Sequence, residues 1–574
     1  MKQFFKSFLT LSMLLSPAIL ADCGSCATSC ETSCESSCES SCETSCNTCS
    51  TTSIFRPRSQ GADTARELVG WQDWIHRFEC GKYKTVALAF QYERSFNGNK
   101  IANNLFGTDT LNFVGSGVAN RVNTGTAGCC NLVADYFGLP TLTNASLKLN
   151  PLIQNYIFDI EAYWGLETCG IDGLYFRMHL PLVWSQWSLF GKGNGCSQNT
   201  SSGIAAYNQP FADGYMSTQN LAASVASSVA NELTYAYPNT SLQSALSGHK
   251  FGFMKEDWQF GKFSFCKLNK FGVADIDLIL GYDFWNRECG HFGLYAQAVL
   301  PTGRKQHGTY IFEPMVGDRH FKLGGGLSFH YDLWECNDHK LAVWLEGNVV
   351  HLFNNTQTRS FDFALSTTVA NSACNNMSRY MLLKEFNVDG TAQGAFINAI
   401  NFTTRKVRIN IPVEGDASLK FAYKNCGWTA DLGYNVYGKS SERGCIKGSP
   451  CQYNVDGRVF GFKGTSNLYT VPSQGTQTVS TVTESAATMC AAGVADVVSP
   501  VTFTTATNNL NTASGLARAQ ITHKVFGFLN YSWKDCDNVP FVGFGATGEF
   551  AQKLHCVTAG LSQWSVLVKG GMAF

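Results

Sequence analysis

The last segment of the chain, WSVLVKGGMAF (residues 564–574), alternates between two kinds of side chain. One face is mainly apolar and consists of Trp564, Val566, Val568, Gly570, Met572 and Phe574. The other face is small or polar, and Lys569 lies on it. A period of two residues is typical of a β-strand whose two faces meet different surroundings.

The final residue of this strand gives a second indication of the fold. A chain that ends on Phe574 in such a strand resembles bacterial outer-membrane β-barrels, whose terminal strand is read by the barrel-insertion machinery. This resemblance makes Phe574 the expected insertion signal. A half-buried strand of a soluble β-sandwich is the alternative, and one strand alone does not decide between the two folds.

The same alternation recurs along the chain, in segments long enough for tilted membrane crossings. The predicted strands are 85–94, 155–166, 173–183, 272–285, 293–300, 321–334, 341–353, 417–424, 429–437, 524–533, 541–550 and 564–574. We therefore predict an all-β fold, a transmembrane antiparallel β-barrel of about 12 strands. KVRINIPV and FGFMKEDWQFGKFSF also have strand patterns, so 14 or 16 strands stay open.

The connections between these segments alternate in length. Short turns such as ECGHF and ECNDHK alternate with long polar loops, of which the longest span about 95–154, 184–271, 354–416 and 438–523. Outer-membrane barrels have short turns on the periplasmic side and long loops outside. Phe574 falls on the short-turn side, as this orientation requires.

The N-terminus indicates export. Lys2 and Lys6 precede an apolar run over residues 8–20, which is too short to span a bilayer, and Ala21 offers a small residue for cleavage. The predicted domains are a signal peptide (1–21), a Cys-rich low-complexity periplasmic tract (22–56), a short amphipathic helix segment (57–80) and an outer-membrane β-barrel (81–574). The predicted location is the bacterial outer membrane.

The Cys-rich tract contains CETSCESSCESSCETSC (residues 30–46), with a cysteine at every fourth position among Glu, Ser and Thr. So few apolar residues cannot form a core, and we predict disorder. We expect its thiols to form disulfide cross-links with other chains; metal binding at the terminal CxxC pairs and a passive spacer are the alternatives. The candidates are Cys23, Cys26, Cys30, Cys34, Cys38, Cys42, Cys46 and Cys49.

A second set of cysteines falls on the short-turn side. Each of the five short turns carries one, and another precedes the first strand, although cysteine is not a turn-forming residue. The expected ring of periplasmic thiols is Cys80, Cys169, Cys289, Cys336, Cys426 and Cys536. Both sets are thus predicted to lie on one side of the membrane, where they could react with each other or with neighbours.

The stretch before the first strand carries a helical pattern. Thr64 and Glu67 have the spacing of a capping box, and apolar residues follow at helical intervals up to Phe78. We predict a helix of about four turns over residues 64–78. It could plug the lumen, contact a partner or lie on the periplasmic rim, and the rim is favoured because the segment is short for a plug.

The inward faces of the predicted strands carry charged and polar side chains. The candidate pore-lining residues are Asp159, Glu161, Arg177, His179, Asp275, Asp277, Asp283, Lys322, Asp332, Glu346, Lys420, Asp431, Glu549 and Lys569. Acids outnumber bases, so an open lumen would weakly favour cations. Asp275, Asp277 and Asp283 could be paired catalytic carboxylates, but no acid/base partner or nucleophile motif accompanies them, and wetting of the lumen is the simpler interpretation.

These patterns predict a porin-like channel for ions and small solutes, with no enzyme activity and no cofactor. The expected partners are outer-membrane lipid, the insertion machinery and other copies of the chain through disulfides. A net charge of zero gives no indication of a charge-driven interaction with nucleic acid, and none is expected. A non-conducting structural or adhesive surface protein is the alternative, and metal sequestration by the Cys-rich tract is a third hypothesis.

The motifs LWECNDHKLAVWLE (333–346) and NRECGHFGLYAQ (286–297) each place Glu-Cys in a turn before a strand. In this they resemble the cysteine-rich, chlamydial-type major outer-membrane porins of intracellular bacteria. That resemblance implies an abundant porin cross-linked by disulfides that stiffen the envelope. LYAQAVLPTGRKQHG (294–308) also looks like a strand–loop unit of outer-membrane transporters for hydrophobic compounds.

Overall fold

The structure is a computed structural model. It describes residues 51–70, 75, 83–116, 118, 131–166, 173–191, 239, 241–252, 254–364, 376–387, 392–447, 458–463, 489, 510–533, 538–554 and 557–574. The predicted signal peptide and the Cys-rich tract up to residue 50 lie outside these residues. No helix among the described residues is long and apolar enough to cross a membrane.

Twelve antiparallel strands form one closed barrel, as the sequence predicts. They are β1 (Tyr83–Ser95), β2 (Leu152–Gly165), β3 (Leu174–Ser188), β4 (Ile276–Arg287), β5 (Gly290–Leu300), β6 (Lys322–Cys336), β7 (His339–Ser360), β8 (Thr404–Asn425), β9 (Trp428–Lys439), β10 (Gln520–Ser532), β11 (Phe541–Ala551) and β12 (Gln563–Ala573). Each strand pairs with its neighbours along the chain, and β12 pairs with β1 to close the sheet. The end with the short connections is called the hairpin end below, and the opposite end is called the loop end.

The predicted strand pattern differs from the structure at two places. The KVRINIPV segment is the first half of β8, which runs over 22 residues, and not an additional strand. The predicted strand 272–285 is interrupted at Asp275, which has a φ of +45°. Leu268–Val273 is a separate short strand on β3, so Asp275 precedes β4 and does not belong to its inward face.

The outer wall of the barrel is apolar. Every one of the twelve strands contributes at least one large hydrophobic side chain that is more than a third exposed, including Leu88, Phe158, Leu280, Leu432 and Phe544. The residues between them point inward and are buried and largely polar, such as Gln91 and Lys569. Alternation in the sequence therefore separates an apolar exterior from a polar interior.

The long loops fold into a cap at the loop end, with a hydrophobic core of their own. Its strands are Thr110–Val114, Leu132–Val133 and Asn144–Lys148 in one sheet, Leu382–Asn387, Ala392–Asn398 and Arg458–Lys463 in a second, and the pair Asp362–Phe363 and Leu510–Asn511; Arg443–Lys447 extends the barrel beside β8. Helices α2 (Gly98–Phe106), α3 (Leu242–Leu246) and α4 (Ala399–Thr403) and the 3₁₀ turns Ala134–Phe137, Ser378–Tyr380 and Thr512–Gly515 complete it. Trp258 and Tyr380 are fully buried and pack with 5.2 Å between ring centroids.

Residues 51–70, called the plug below, lie inside the barrel and are nearly all buried. The plug contains one helical turn, α1 (Thr64–Leu68), so the continuous helix predicted over residues 64–78 is wrong beyond Leu68, and residues 71–74 and 76–78 of that prediction lie outside the described residues. Val69 is extended and Gly70 has a φ of +73°, which ends the helix. The capping-box prediction is also wrong, because Asp63 is the N-cap and accepts a hydrogen bond from the Arg66 N–H.

Candidate functional site: the plugged lumen

The plug runs along the inside of the barrel from the loop end toward the hairpin end. Three successive contacts along strand β10 show this direction. The Gln520 amide donates to the Arg56 carbonyl, the Lys524 ammonium lies 2.7 Å from the Asp63 carboxylate, and the Phe528 ring packs against Gly70. Successive contacts lie four residues apart on β10, which is about 13 Å of strand.

The opposite wall shows the same progression. Along β8, Asp416 binds Arg58 and accepts from the Thr64 N–H, Ser418 bonds to the Thr64 hydroxyl, and Lys420 donates to the Leu68 carbonyl. The order of contacts on β8 therefore matches the order along the plug. A rim position for this segment, which the sequence favoured, is wrong.

Arg58 is the most densely paired side chain of the plug. Its guanidinium binds the Asp416 carboxylate and donates to the Asn435 amide oxygen at 2.9 Å. The Tyr437 ring lies 4.7 Å from the guanidinium carbon. A buried guanidinium requires this degree of pairing, because an unpaired charge in the interior costs several kcal/mol.

The helical turn is held by the neighbouring walls. Arg66 binds Asp159 on β2 at 2.9 Å. The Lys569 ammonium donates to the carbonyls of Arg66 and Glu67 at 2.9 and 3.0 Å. These last carbonyls of a short helix have no partner within it, so a lysine at this position satisfies them and suits the helix dipole.

The fourteen predicted pore-lining residues all have buried side chains. Those within hydrogen-bond or ion-pair distance of the plug are Asp159, Arg177, His179, Asp275, Lys420, Asp431, Glu549 and Lys569. The others bind wall or loop residues: Glu161 to Lys569, Asp277 to Gln297, Lys322 to Asp318 and Glu414, Asp332 to His330 and Lys340, and Glu346 to Arg177, whereas Asp283 packs against Gly293. The acids that act as counterions of Lys or Arg side chains are Asp159, Glu161, Asp332, Glu346, Asp431 and Glu549. The described residues therefore do not form the cation-selective open lumen that the sequence predicts.

The space left between the plug and the wall is small. Two cavities measure about 10 Å³ each, and a third, lined by Ser59, Asp277, Lys322 and Glu414 among others, measures about 20 Å³. A single water molecule needs about 10–15 Å³ by the same kind of measure. Each of these three cavities has room for about one water molecule and is too small for a hydrated ion.

The loop end of the lumen contains a further network around Asp318 and His320. Burial raises the pKa of Asp318, but Lys439, Lys322 and Arg56 outweigh it and hold that pKa well below its usual range. His320 accepts from the Gln357 amide at one ring nitrogen, and its other ring nitrogen donates to the Phe353 carbonyl. Burial and the nearby Arg56 charge lower the pKa of His320 to about 4, in agreement with this neutral tautomer.

Among the residues that the structure describes, one group of side chains has the composition of a metal site. Ligand atoms of Asp159, Glu161 and His179 lie within 4.8 Å of one another. The Lys569 ammonium already lies 2.6 Å from Glu161, and Arg66 binds Asp159. We interpret the group as part of the ion-pair network, because these cations neutralise the charge that a metal would need.

The possible catalytic carboxylates do not form a shared centre. Asp275 accepts hydrogen bonds from the backbone N–H groups of Gly303 and Asp318, so it fixes loops. Asp277 instead accepts from Gln297 at 2.6 Å. Each therefore has a structural partner of its own.

Three of the predicted ring thiols fall within the described residues. Cys289, Cys336 and Cys426 are exposed, unpaired and located at the hairpin end, in three successive hairpins. Cys80, Cys169 and Cys536 lie outside the described residues, as does the whole tract from Cys23 to Cys49. Cys426 has a φ of +46°, a conformation that costs a residue with a Cβ roughly 1–2 kcal/mol.

The residues that anchor the plug, above all Arg58, Asp63, Asp416 and Lys524, are not among those that the sequence patterns identified. Asp416 and Lys524 flank or begin predicted strands, and their inward register could have been read from the alternation. Arg58 and Asp63 lie in a short polar segment without periodicity. Only the clustering of basic and acidic residues in RPRSQGADTARE (56–67) hinted at charge pairing.

No protein-family model matches the chain, and no curated protein shows significant similarity to it. Among solved structures, an outer membrane channel of Pseudomonas putida F1 (COG4313) is 11% identical, with 88% of this chain and 98% of that chain covered and a TM-score of 0.33. The toluene transporter TodX of Pseudomonas putida is 8% identical, with 91% and 95% covered and a TM-score of 0.27. The translocator domain of the autotransporter NalP from Neisseria meningitidis is 7% identical, with 89% and 95% covered and a TM-score of 0.26.

Scores this low carry no argument about function. The class of the protein follows from its own strand pairing, which defines a closed antiparallel β-barrel of twelve strands with a polypeptide segment in its lumen.

Proposed function

We propose that the chain is a bacterial outer-membrane protein, exported by its N-terminal signal and inserted as a β-barrel. The observation that supports this is the apolar outer wall, to which all twelve strands contribute exposed hydrophobic side chains. In water such a continuous apolar surface would drive aggregation, whereas in a bilayer it contacts lipid tails. The C-terminal Phe574 is the proposed signal for the insertion machinery.

Within this class we propose a channel whose closed state is held by the plug. The charged wall is built for an aqueous passage, because a packed lumen could have been filled with apolar residues at lower desolvation cost. Ions and small solutes would pass only when the plug is displaced. The protein is proposed to have no enzyme activity.

Conductance of the purified full chain in planar bilayers tests the channel. Arg58→Ala combined with Arg66→Ala removes the two charged anchors of the plug, while Lys270→Ala removes a loop ion pair with Glu313 as the matched control. We expect little conductance from the unchanged protein and the control, and frequent openings from the double variant. The heat-dependent shift of the protein on gels shows whether the double variant is folded. A folded double variant without conductance would contradict the proposed channel.

The second candidate is a non-conducting structural or adhesive surface protein. The observation that favours it is the cap, in which the long loops bury an apolar core over the mouth of the barrel. Phe55 of the plug packs between Trp187 and Phe312 at this end. A silent double variant in the conductance experiment is the result that this candidate predicts.

We also propose that the hairpin thiols form disulfides with other molecules. The hairpins that carry Cys336 and Cys426 are separated by two strand spacings, about 10 Å, whereas bonded cysteines have Cα atoms less than about 7 Å apart. These thiols therefore cannot bond to each other within one barrel. Neighbouring copies of the chain or other envelope proteins are the proposed partners, as in the cysteine-rich porins that the turn motifs resemble.

The bond would form by exchange with an existing disulfide. A hairpin thiolate attacks one sulfur of a disulfide on an oxidoreductase, and a partner thiolate then displaces that enzyme, which leaves with both electrons as a dithiol. Non-reducing gels of intact envelopes test the proposal. A ladder of oligomers that collapses on reduction supports it, and a monomer in both lanes contradicts it.

A further inference from the structure

The N-terminal end of the plug is fixed at the loop end of the barrel. The Thr52 N–H donates to the carbonyl of Asn104, in helix α2 after β1, at 3.2 Å. The Ser53 N–H donates to the carbonyl of Ser514, in the cap, at 2.7 Å. The Ser53 hydroxyl donates to Ser360, the last residue of β7. Thr51 therefore enters the barrel from the side of the long loops.

The C-terminal end of the plug lies at the opposite side. Gly70 packs against the rings of Phe528 and Phe541, close to the β10–β11 hairpin. Ile75 belongs to the same buried cluster as Tyr83, the first residue of β1. Gly70 at the end of the plug and Tyr83 at the start of the wall therefore both lie at the hairpin end.

We infer that the plug crosses the membrane through the barrel and displays the preceding Cys-rich tract at the outer surface. This inference rests on the proposed outer-membrane location, which supplies both the lipid around the barrel and the name of the outer side. The barrel itself establishes that Thr51 and the hairpin cysteines are at opposite ends. The tract and the ring of thiols then lie on different sides of the membrane, and not on one side as the sequence analysis predicted.

A return of the tract to the hairpin side is blocked along both routes. The lumen is occupied by the plug, and the cavities beside it hold about one water molecule each. The outer wall contacts lipid, where a segment of Glu, Ser and Thr would leave its backbone and side chains without hydrogen bonds. The tract must therefore stay on the side from which Thr51 enters.

This topology assigns different partners to the two sets of thiols. Cys289, Cys336 and Cys426 face the periplasm and can meet only periplasmic or neighbouring hairpin thiols. The eight cysteines between Cys23 and Cys49 meet thiols and disulfides of proteins outside the cell. One barrel would then present two chemically separate sites for cross-linking.

Single-cysteine variants of the full chain test the topology. All 23 cysteines are changed to serine except one, which is Cys49, Cys445 or Cys289. Cys445 is the matched outer control, because it is exposed in the strand Arg443–Lys447 beside the loop-end half of β8. Cys289 is the matched inner control. Intact cells are treated with a PEG-maleimide too large to cross the outer membrane, before and after permeabilisation.

We expect Cys49 to behave like Cys445, with full labelling on intact cells and no increase on permeabilisation. Labelling of Cys49 only after permeabilisation, as for Cys289, would overturn the inference. If Cys445 and Cys49 both require permeabilisation while Cys289 does not, the tract is still on the loop side, and it is the proposed orientation that fails. If the variants with serine in place of cysteine do not fold, an epitope is inserted before Thr51 in the natural chain. Removal of this epitope by protease on intact cells then shows that the tract is at the outer surface, and its protection shows the opposite.

Discussion

The barrel and the cap bury their interiors by opposite means. Between plug and wall, Arg58, Asp416 and Lys524 form ion pairs that fill the lumen. In the cap, Trp258, Tyr380 and their neighbours form an apolar core like that of a soluble domain. The difference follows from where each region places its apolar side chains. The barrel strands carry them on the outer wall, so alternation leaves polar residues inside, whereas the cap turns its apolar residues inward.

Removal of one anchor of the plug is expected to have the largest effect on the barrel interior. Asp416→Ala removes the nearest carboxylate partner of Arg58 and leaves the Thr64 N–H without its acceptor, and breaking a buried ion pair in this way costs about 3–5 kcal/mol. We expect the plug to become sensitive to protease at concentrations that leave the natural protein intact. Asp338→Ala, an exposed acid in the β6–β7 connection, is the control. Equal protease resistance of both variants would contradict the role of the anchor.

The cap should respond to the loss of apolar volume and not of charge. Trp258→Ala removes a fully buried ring that contacts Phe137 and Tyr380, with an expected cost of about 3–5 kcal/mol. Hydrogen exchange should increase in the cap and stay unchanged in the barrel strands. Trp428→Ala, whose ring is half exposed on the outer wall, is the control. If hydrogen exchange increased only in the barrel strands, the conclusion that the cap has a core of its own would be wrong.

The outer wall provides the third test. Leu432 is 65% exposed, and Leu432→Arg places a charge where we propose lipid contact. The expected cost in vesicles is about 2–4 kcal/mol near the bilayer midplane and less toward the interfaces. Urea titration of the refolded protein measures it, with Leu432→Met as the control. An unchanged midpoint would argue against lipid at this face.

Acidification should weaken the junction between cap and plug. The ordinary pKa of histidine is about 6.5, and that of His320 is lowered to about 4, so between these values the unfolded chain binds a proton that the folded protein does not. The free energy of unfolding therefore falls as the pH drops through this window, by at most about 3–4 kcal/mol from this group. The free energy of unfolding is measured at about pH 7 and about pH 4.5. We expect it to decrease at the lower pH in the natural protein and to decrease less in His320→Gln.

The smallest expected effect is that of a single hydroxyl pair. Thr64→Val removes the contact of 2.8 Å with Ser418 but keeps the volume and the backbone bond to Asp416. We expect a loss of about 1 kcal/mol and a plug that stays seated. Protease sensitivity close to that of Asp416→Ala would mean that hydrogen bonds, and not ion pairs, hold the plug.

The sequence predicted the wall far better than the lumen. Each of the twelve predicted segments overlaps one strand of the barrel, because alternation over about ten residues is a local signal that few structures besides a two-faced strand produce. The plug was missed because its contacts are distant: Arg58 binds Asp416, 358 residues away. Its helix was predicted too long because Leu68, Trp71 and Ile75 have helical spacing, whereas Gly70 at positive φ ends the helix between them.

By itself, the sequence determined which face of each strand is apolar and at which end the turns and loops lie, since both depend on residue order alone. Only the tertiary structure decided what fills the lumen and from which side the chain enters it. Direction through a barrel depends on which distant charges pair, as Asp63 with Lys524 and Arg66 with Asp159. No local pattern encodes such pairs, because any inward acid has several bases within reach until the sheet closes.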